Sequence, residues 1–537
     1  MPAKGKRKPT PGPVSPTKKI KLEDVTATDE LGAPGKWRDW PAPFTQMTAA
    51  REFLRRATSS PKSQAVVIVP DKDADGLSSC RVLYHTLALL GMPLDRIIVH
   101  LLLKGTSVFT PNEKARLTDA ICATQASDVS VIVVDQGSRP GPPLYDAEHC
   151  KQAQIDVQCL IIDHHQSSEW PDGAQVLTAC DAQPIATSSL LSYLLCYPLH
   201  PQAPAGNDWV AVLGLFGDLG PSEVKFGDPQ GVWPVSTEMM MLAASIKRES
   251  KKKISDAVGA LNAPRRTAEY DVVSAWSVLL QAKSPDDINS SNTLKLARLQ
   301  VNEEVERCTH AAPKFSKDGR VALLRIDSPY QVHPVIATRW AGFLRAKKLQ
   351  MIMVANAGHN PSADIMSFSC RICASLRSLP DEERPNLIEL LIEYGSRIDG
   401  FLDRVGNDFA RGHKEATGGI IPLVEFEKLC AEGMEIGIKD PDAVSPERKS
   451  RSKFPVQKTT LHSFFKSPAK STPDIYPGAD RQPVDRMVSW DTVDSREPIS
   501  ESISRLMRHS MLVYGASRHI IFSSGRMIPG EIGRFLC

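Results

Sequence analysis

Four apolar runs, each ending at an acidic residue, constrain the fold of this 537-residue chain more than any other feature. VVIV precedes Asp71, VIVV precedes Asp135, CLII precedes Asp163 and AVLGLFG precedes Asp218. Continuous apolar runs that alternate with helical stretches predict buried strands of a doubly wound parallel sheet. Loops at the carboxyl ends of such strands share one crevice. We therefore expect the four aspartates to converge on one site.

Further candidate ligands follow these runs. The segment DKDADG begins at Asp71 and includes Asp73 and Asp75, while His164 and His165 follow the third run. Carboxylates packed together repel one another unless positive charge lies between them. A shared aspartate with imidazole on one side suits two divalent cations, Mn²⁺ by preference or Mg²⁺. Because successive side chains alternate along a strand, the two histidines are expected to point in opposite directions.

The motifs resemble those of the DHH phosphoesterase superfamily. DKDADG, VIVVDQG, IIDHHQ and GLFGDLG match its four motifs in order, and the triple-aspartate first motif is most similar to the RecJ-like exonuclease branch, in a eukaryotic, fungal-type form. The resemblance implies that Asp73 and Asp135 hold one metal ion, with Asp71 nearby. It implies a second ion held by Asp75, Asp135, His164 and Asp218, with Asp163 orienting an imidazole and His165 facing the phosphate or the leaving group.

A second α/β unit is predicted from VALLRI at Val321 onward, and its βαββ order resembles the small DHHA1 domain. ARGHKEATGG at 410–419 is similar to the glycine-rich phosphate loop of that domain, although Ala410 and Arg411 stand where glycines are usual. Arg371 matches a phosphate-gripping arginine of the family, with a structural arginine on an edge strand as the alternative. The candidate substrate contacts are Lys104, His165, Arg371, Arg411, Gly412 and His413.

Composition completes the domain prediction. Residues 1–38 and 438–495 are poor in aromatic residues and rich in proline, serine and lysine, which is typical of disordered segments. The predicted order is a disordered basic tail at 1–38, a DHH domain at 39–261, a helical connector at 262–317, a DHHA1-like domain at 318–437, a disordered linker at 438–495 and a segment of unknown role at 496–537. In the connector, the candidate packing positions are Leu279, Leu280, Leu294, Leu296 and Leu299.

Two short motifs in these terminal segments suggest partners. The basic clusters within residues 6–21 resemble a bipartite nuclear import signal, and a solvated basic tail is the alternative. Lys458, Leu461, Phe464 and Phe465 resemble a peptide that binds a sliding clamp, although the usual glutamine is replaced by Lys458. The alternative is a fortuitous apolar cluster. Exposed phenylalanines in a polar segment favour a partner.

The remaining features set limits. The net charge of +3 neither requires nor excludes nucleic acid, and no apolar run reaches the length of a membrane span. Scattered cysteines favour a reduced intracellular protein. The resemblance implies an exonuclease on single-stranded nucleic acid, DNA rather than RNA, and the basic clusters and the clamp-like peptide predict that it acts in the nucleus. A phosphoesterase for cyclic dinucleotides, short oligonucleotides or polyphosphate is the first alternative, and a non-catalytic DHH scaffold is the second.

Overall fold

The computed structural model describes residues 39–226, 233–362, 364–406 and 409–438. The predicted import signal at 6–21, the clamp-like peptide at 458–465 and the segment 496–537 lie outside these residues, so they stay predictions. Within the described residues the chain forms two sheets, each with apolar clusters on both faces. None of the described helices combines the length and the apolar character needed to cross a membrane.

The first sheet is the parallel sheet that the apolar runs predict. Its described strands lie in the order β2-β1-β3-β4-β5 and all pair in parallel. Alternate residues of each strand face opposite apolar clusters, so the sheet is buried on both sides. The strands are β1 (Gln64–Pro70), β2 (Ile97–Val99), β3 (Asp128–Val134), β4 (Asp156–Asp163) and β5 (Ala174–Thr178).

Helices cover both faces of this sheet. The third and fourth helices pack on one face, while the first, second, fifth and sixth contribute to the larger apolar cluster on the other. The helices are α1 (Phe44–Ala57), α2 (Ala74–Leu89), α3 (Pro111–Ala123), α4 (Ala147–Gln152), α5 (Ser188–Cys196), α6 (Asp208–Asp218), α7 (Thr237–Glu249) and α8 (Lys251–Leu261). Short 3₁₀ turns occur at Leu94–Arg96, Tyr197–Leu199 and Pro264–Arg266. The doubly wound α/β class is confirmed.

The prediction of a strand before Asp218 is wrong. AVLGLFG belongs to α6, which packs against α2, α5 and α8 and is buried over almost its whole length. A helix that is buried on every side shows no polar face, so its apolar run cannot be distinguished from a buried strand by periodicity. Asp218 therefore reaches the crevice from the last turn of a helix.

Three helices follow α8 before the second sheet: α9 (Val272–Gln281), α10 (Pro285–Ser290) and α11 (Asn292–Cys308). Leu279 and Leu294 are buried as expected, and Leu280 packs partly against the same cluster. Leu296 and Leu299 are each 58% exposed, so the prediction that they pack is wrong. They lie on the outer face of α11, whose inner face is formed by Leu294, Ala297, Val301 and Val305.

The second sheet is mixed and has the order β10-β11-β9-β8-β7-β6. Its one parallel pair among the described strands is β7 with β8, joined through α12, as the βαββ prediction requires. The strands are β6 (Lys314–Phe315), β7 (Val321–Ile326), β8 (Met351–Asn356), β9 (Ile365–Ile372), β10 (Arg411–His413) and β11 (Ala416–Pro422). The helices are α12 (His333–Phe343), α13 (Leu387–Gly395), α14 (Phe401–Val405) and α15 (Leu423–Lys428), with a 3₁₀ turn at Asp381–Glu383 and a π-helical turn at Leu429–Gly433.

The strand ladder of the first sheet holds the acidic residues at one edge. The Asp71 amide donates to the Val134 carbonyl, and the Asp135 amide donates to the Ile162 carbonyl, both at 3.0 Å. Pairing thus continues one residue beyond β1 and β3, and Asp163 is the last residue of β4. Parallel strands place their carboxyl ends at the same edge, so the three aspartates become neighbours.

Gly214 should be essential to the packing of α6. A Cβ there would lie under 3.0 Å from the Ser189 side chain and from Asp75 Oδ1. We expect Gly214→Ala to lower the free energy of unfolding by about 1–3 kcal/mol through overpacking. Gly342→Ala is the matched control, because Gly342 lies in α12 with open space around the added methyl group. Gly342→Ala should not lower the free energy of unfolding and should raise it by at most about 1 kcal/mol. Equal effects in denaturant titrations would contradict this account of α6.

Candidate metal centre

Asp135 lies at the centre of the crevice. It follows β3 directly, is 4% exposed and has a φ of 60°, in the left-handed region. Aspartate tolerates this conformation better than most residues, and such strain is concentrated at functional sites. The Ser188 hydroxyl donates to Asp135 Oδ1 at 3.0 Å, and His164 Nε2 lies 3.4 Å from the same oxygen.

The first motif turns from β1 into α2 around two carboxylates. Asp73 is the N-cap of α2, and its Oδ1 accepts from the amides of Asp75 and Gly76. A Cβ at Gly76 would lie under 3.0 Å from the backbone of Asp71, so the tight turn requires glycine. Asp75 is fully buried, and its two oxygens accept from the Ser188 amide at 2.8 Å and the Ser189 amide at 3.1 Å.

The two histidines are held differently. Asp163 Oδ1 accepts from the His164 amide, the His165 amide and His165 Nδ1, the last at 2.8 Å, so this carboxylate orients the His165 ring. His164 Nε2 lies 3.1 Å from Asp218 Oδ2. The prediction that the two side chains point in opposite directions is wrong, since their ring centroids are 4.7 Å apart. The strand ends at Asp163, so side-chain alternation no longer applies beyond it.

The potential ligands fall into groups that share Asp135. One group is Asp71, Asp73 and Asp135; a second is Asp75, Asp135, His164 and Asp218; a third is Asp135, His164 and His165. Within each group the ligand atoms lie within 4.8 Å of one another. Asp71 thus lies in one group with Asp73 and Asp135, the two residues that the resemblance assigned to the first ion.

The donor set fits divalent cations. Carboxylate oxygens with one imidazole nitrogen suit Mn²⁺ or Mg²⁺. Within the described residues Nδ1 of His164 is buried without a hydrogen-bond partner, and Nε2 faces Asp135 Oδ1 at 3.4 Å and Asp218 Oδ2 at 3.1 Å. Without a metal only the protonated ring satisfies these carboxylates, whereas a metal ion held by them would accept the lone pair of Nε2.

Burial and mutual repulsion raise the pKa of Asp75 and of Asp135. Burial, reinforced by the charges of Asp75, Asp73 and Asp218, raises the pKa of Asp135 well above its usual value. Burial and the neighbouring Asp218 raise the pKa of Asp75 to about 6. These shifts mean that the cluster holds its full negative charge only at a cost, which bound cations would remove.

The histidines are shifted toward the charged form. Burial lowers the pKa of His164, but the carboxylates of Asp218, Asp75 and Asp163 outweigh it and raise the pKa to about 9. Burial also lowers the pKa of His165, and Asp163 outweighs it to give about 9. In the metal-free protein both rings are therefore positively charged at neutral pH.

The second unit contributes His413 and Arg371. The His413 ring stacks on His165 at 5.7 Å with an interplanar angle of 17°, and lies 5.8 Å from His164. Burial and the two charged imidazoles lower the pKa of His413 to about 4, so this ring is neutral. Arg371 donates to Thr338 Oγ1 and to the Cys370 carbonyl and makes no ion pair within the described residues. Its charge acts on both His413 and Arg266.

Lys104 is held by backbone carbonyl groups. Its strand, β2, ends five residues earlier at Val99, because only Ile97–Val99 pair with β1. The Lys104 ammonium donates to the carbonyls of Ala268 at 2.9 Å and Pro329 at 2.6 Å, so it ties this loop to the segments before α9 and before α12. Among the residues predicted to contact substrate, Lys104 is thus already engaged with backbone.

The glycine-rich loop forms the β10–β11 hairpin. Arg411 and His413 lie on β10, which pairs with β11, and Gly412 has a φ of 114°. A Cβ at Gly412 would lie 2.6 Å from the Ala416 carbonyl oxygen, so glycine is required. Ala410, where the family has glycine, adopts a φ of 57° in the left-handed region. Residue 410 therefore keeps a backbone conformation that suits glycine.

Sequence reasoning missed four residues around the cluster. Ser188 and Ser189 supply the amides that bind Asp75, and the Thr187-Ser188 helix start was their one sequence signal. Arg265 lies 3.6 Å from Asp73 Oδ2 and also contacts Asn262 and Gln331. Asn262 accepts from the Ala74 amide. No sequence pattern predicts that a turn after α8 returns to the first motif.

Comparison with known proteins finds one family model that matches the first unit. Residues 65–213 match the model of the DHH family, N-terminal domain, and the fold of this part of the chain is similar to that of RecJ. No curated protein matched the sequence of the chain. The match spans β1 to α6 and includes all candidate ligands of the first unit except Asp218.

Solved structures extend the likeness of fold across both units. RecJ from Thermus thermophilus, in complex with Mn²⁺, has a TM-score of 0.50 and 16% identity, covering 73% of this chain and 55% of its own. A DHH domain described as a member of a family of ribosomal proteins has a TM-score of 0.50 and 11% identity, covering 73% and 91%. An exonuclease RecJ bound to manganese has a TM-score of 0.48 and 16% identity, covering 74% of this chain and 95% of its own. The chain therefore spans about half the length of the Thermus protein.

The shifted histidines predict a pH dependence for the metal-free protein. The folded pKa values of His164 and His165, about 9, lie above the ordinary 6.5, so the folded state binds more protons than the unfolded chain between these values. Their stabilisation is complete below pH 6.5 and is lost as the pH rises through about 9. The Tm in chelator should therefore fall across this interval.

Two comparisons check this assignment. His165→Gln should show a shallower fall in Tm, because one of the two shifted groups is removed. Saturating Mn²⁺ should abolish most of the fall, because bound metal replaces the protons. A metal-free Tm that is constant over this interval would contradict the assignment.

Proposed function

We propose that this chain is a metal-dependent phosphodiesterase that degrades single-stranded DNA as an exonuclease. The observation that carries the proposal is that Asp135 belongs to every group of potential ligands among the described residues, with carboxylates on both sides of it. A shared carboxylate between two sets of oxygen and nitrogen donors is the arrangement expected for a pair of ions in phosphoryl transfer. The Mn²⁺ of the Thermus RecJ supports manganese as the metal here.

Each ligand group has a role in this proposal. Asp71, Asp73 and Asp135 would hold one ion, and Asp75, Asp135, His164 and Asp218 the other. When bound, the ions supply an activated water and neutralise charge on the phosphoryl oxygens. The Ser188 hydroxyl and the amides at the start of α5 keep Asp135 and Asp75 in place.

His165 is the residue of the proposed site that faces the substrate. Asp163 accepts from its Nδ1, and the rest of the ring lies beside His413 and near Asp135. The other ring nitrogen, Nε2, would contact a phosphate oxygen or the leaving oxygen. Neutral His413 stacks on this ring, and the charge of Arg371 acts on His413, which suits a phosphodiester.

Substitution of Asp135 is the direct test. Asp135→Asn keeps the side-chain shape and tolerates the positive φ, so it should fold normally while it loses the shared ligand. We expect Mn²⁺-dependent digestion of 5′- and 3′-labelled single strands to fall by at least about 100-fold, the scale seen when one catalytic group is removed. The thermal stability of the metal-free variant should equal or exceed that of the wild type, since repulsion is relieved.

Substrates distinguish the proposal from its alternatives. DNA and RNA strands, cyclic dinucleotides and polyphosphate should be digested in parallel with wild type and Asp135→Asn. Turnover restricted to the small substrates would favour the small-molecule phosphoesterase. Normal Mn²⁺ binding without any turnover would favour the non-catalytic scaffold.

In this proposal the enzyme acts in the nucleus and binds a sliding clamp. The basic clusters at 6–21 and the peptide at 458–465 support it, and both are remote in sequence from every candidate ligand. A nuclease for single strands is useful where strands are exposed during replication or repair. The peptide would place its apolar anchors in a clamp pocket and bring the enzyme to DNA.

Substitution within the peptide tests the clamp interaction. The triple variant Leu461→Ala, Phe464→Ala, Phe465→Ala should lose binding to purified sliding clamp, because aromatic and aliphatic anchors carry much of such binding energy. Digestion of oligonucleotides in solution should be unchanged. The matched control is His462→Ala, Ser463→Ala, Lys466→Ala in the same peptide. Equal retention of both triple variants in a pull-down would exclude the motif.

A further inference from the structure

Phe343, the last residue of α12, is the most exposed large apolar side chain among the described residues, at 83%. Arg339 lies one helical turn before it and therefore on the same side of the helix. Gly342, between them, has no heavy atom near the position of an added Cβ. The outer surface of α12 is thus open, with a planar aromatic ring presented to solvent at its end.

Basic residues follow Phe343 along the chain and also occur in a segment that packs against α12. Residues 333–349 and 371–379 contain no aspartate or glutamate, while Arg345 and Lys347 follow Phe343 and Arg377 lies in the second segment. The two segments are packed together: the Ala374 amide donates to the Ala341 carbonyl at 2.9 Å, and both segments share one apolar cluster. The charges of Arg345 and Arg377 both act on the buried Cys373 thiol, so both guanidinium groups lie near this thiol.

Within the described residues, these cations have no acidic partners. Arg339, Arg345, Lys347 and Arg377 make no ion pair with a carboxylate in the part of the chain that the structure describes. Elsewhere in the second unit exposed arginines are paired: Arg320 with Glu393 at 2.6 Å and Arg325 with Glu427 at 2.7 Å. The positive charge around Phe343 thus contrasts with a unit that pairs other arginines with acids.

Arg371 connects α12 with the candidate metal centre, because Ala416 pairs with both Arg371 and His413 in the second sheet. Arg371 Nε donates to Thr338 Oγ1, one residue before Arg339, and the charge of Arg377 acts on Arg371. Arg371 in turn acts on His413, whose ring stacks on His165. A line of positive or neutral groups thus runs from the metal cluster to the end of α12.

We infer that Arg339, Phe343, Arg345, Lys347 and Arg377, here named the cationic ledge, bind the part of a single nucleic-acid strand that lies outside the metal centre. The cations contact phosphates and Phe343 stacks on a base, a combination that binds single strands without sequence preference. The inference rests on the proposed function, since it assigns the path of that substrate. An acidic peptide would match the charge but offers no base for the exposed ring.

The test measures binding as a function of strand length. Full-length protein is titrated with fluorescent oligothymidylates, from a length that fills only the metal centre to lengths that also reach the ledge. The ledge variant is Arg345→Glu, Lys347→Glu, Arg377→Glu. The control is Arg55→Glu, Arg56→Glu, Lys62→Glu, which makes the same charge change at exposed cations beside the amino end of β1, at the opposite edge of the sheet from the metal centre.

We expect the affinity of wild type and control to rise with length and that of the ledge variant to stay flat. The slope of log Kd against log salt should flatten by about 0.7 for each phosphate that the variant no longer binds. Phe343→Ala should weaken binding of the longer strands by roughly tenfold, as loss of one stacked base does. Binding of the shortest strand should be unchanged in all variants.

The inference is overturned if the ledge variant keeps the length dependence, or if it loses no more affinity than the control. It is also overturned if polyglutamate competes as well as oligothymidylate, which would make the ledge a surface for acidic peptides. Mn²⁺-dependent hydrolysis of bis(p-nitrophenyl) phosphate separates the two proposals. If the wild type hydrolyses this ester but its binding does not depend on strand length, the ledge alone is rejected. If the wild type does not hydrolyse it, the proposed function is rejected.

Discussion

Repulsion among buried carboxylates around Asp135 is the constraint on which the rest of the structure depends. Asp71, Asp73, Asp75 and Asp218 all lie close enough to Asp135 to share ligand positions with it. Such a cluster is unfavourable in a protein without positive charge at its centre. The raised pKa values of Asp75 and Asp135 are the visible sign of that cost. The fold must therefore hold the acids together against their own field.

Two helix ends act on this field in opposite directions. The start of α5 offers the amides of Ser188 and Ser189 to Asp75, where the positive end of the helix dipole favours a carboxylate. Asp218 instead ends α6, where the negative end of the dipole disfavours a carboxylate. The α6 end thus adds to the negative field rather than relieving it. This asymmetry favours a cation on the side of His164 and Asp218, because the backbone amides at the start of α5 satisfy Asp75 while the end of α6 opposes the charge of Asp218.

The sequence predicts those parts of the site that are carried by strand ends. Runs before Asp71, Asp135 and Asp163 are short, apolar and followed by turns, so both their type and their direction follow from the sequence. The run before Asp218 fails because full burial removes the polar face that identifies a helix. The sequence does not predict the roles of Ser188, Ser189 and Arg265, because their contacts depend on how distant elements pack. Leu296 and Leu299 fail because leucine content does not say which face of α11 is inward.

The second unit balances the charge that the first unit concentrates. A phosphodiester is itself an anion, so an unrelieved carboxylate cluster would repel it as strongly as it attracts cations. Arg371 and the cations of the ledge make no ion pair in the described part of the chain, and the charged imidazoles beside His413 keep that ring neutral. If the arginines of this surface were paired as Arg320 and Arg325 are, their charge would be neutralised within the protein. The two units thus need each other: one holds the acids that would bind metal, and the other holds the positive charge that would let an anionic strand approach them.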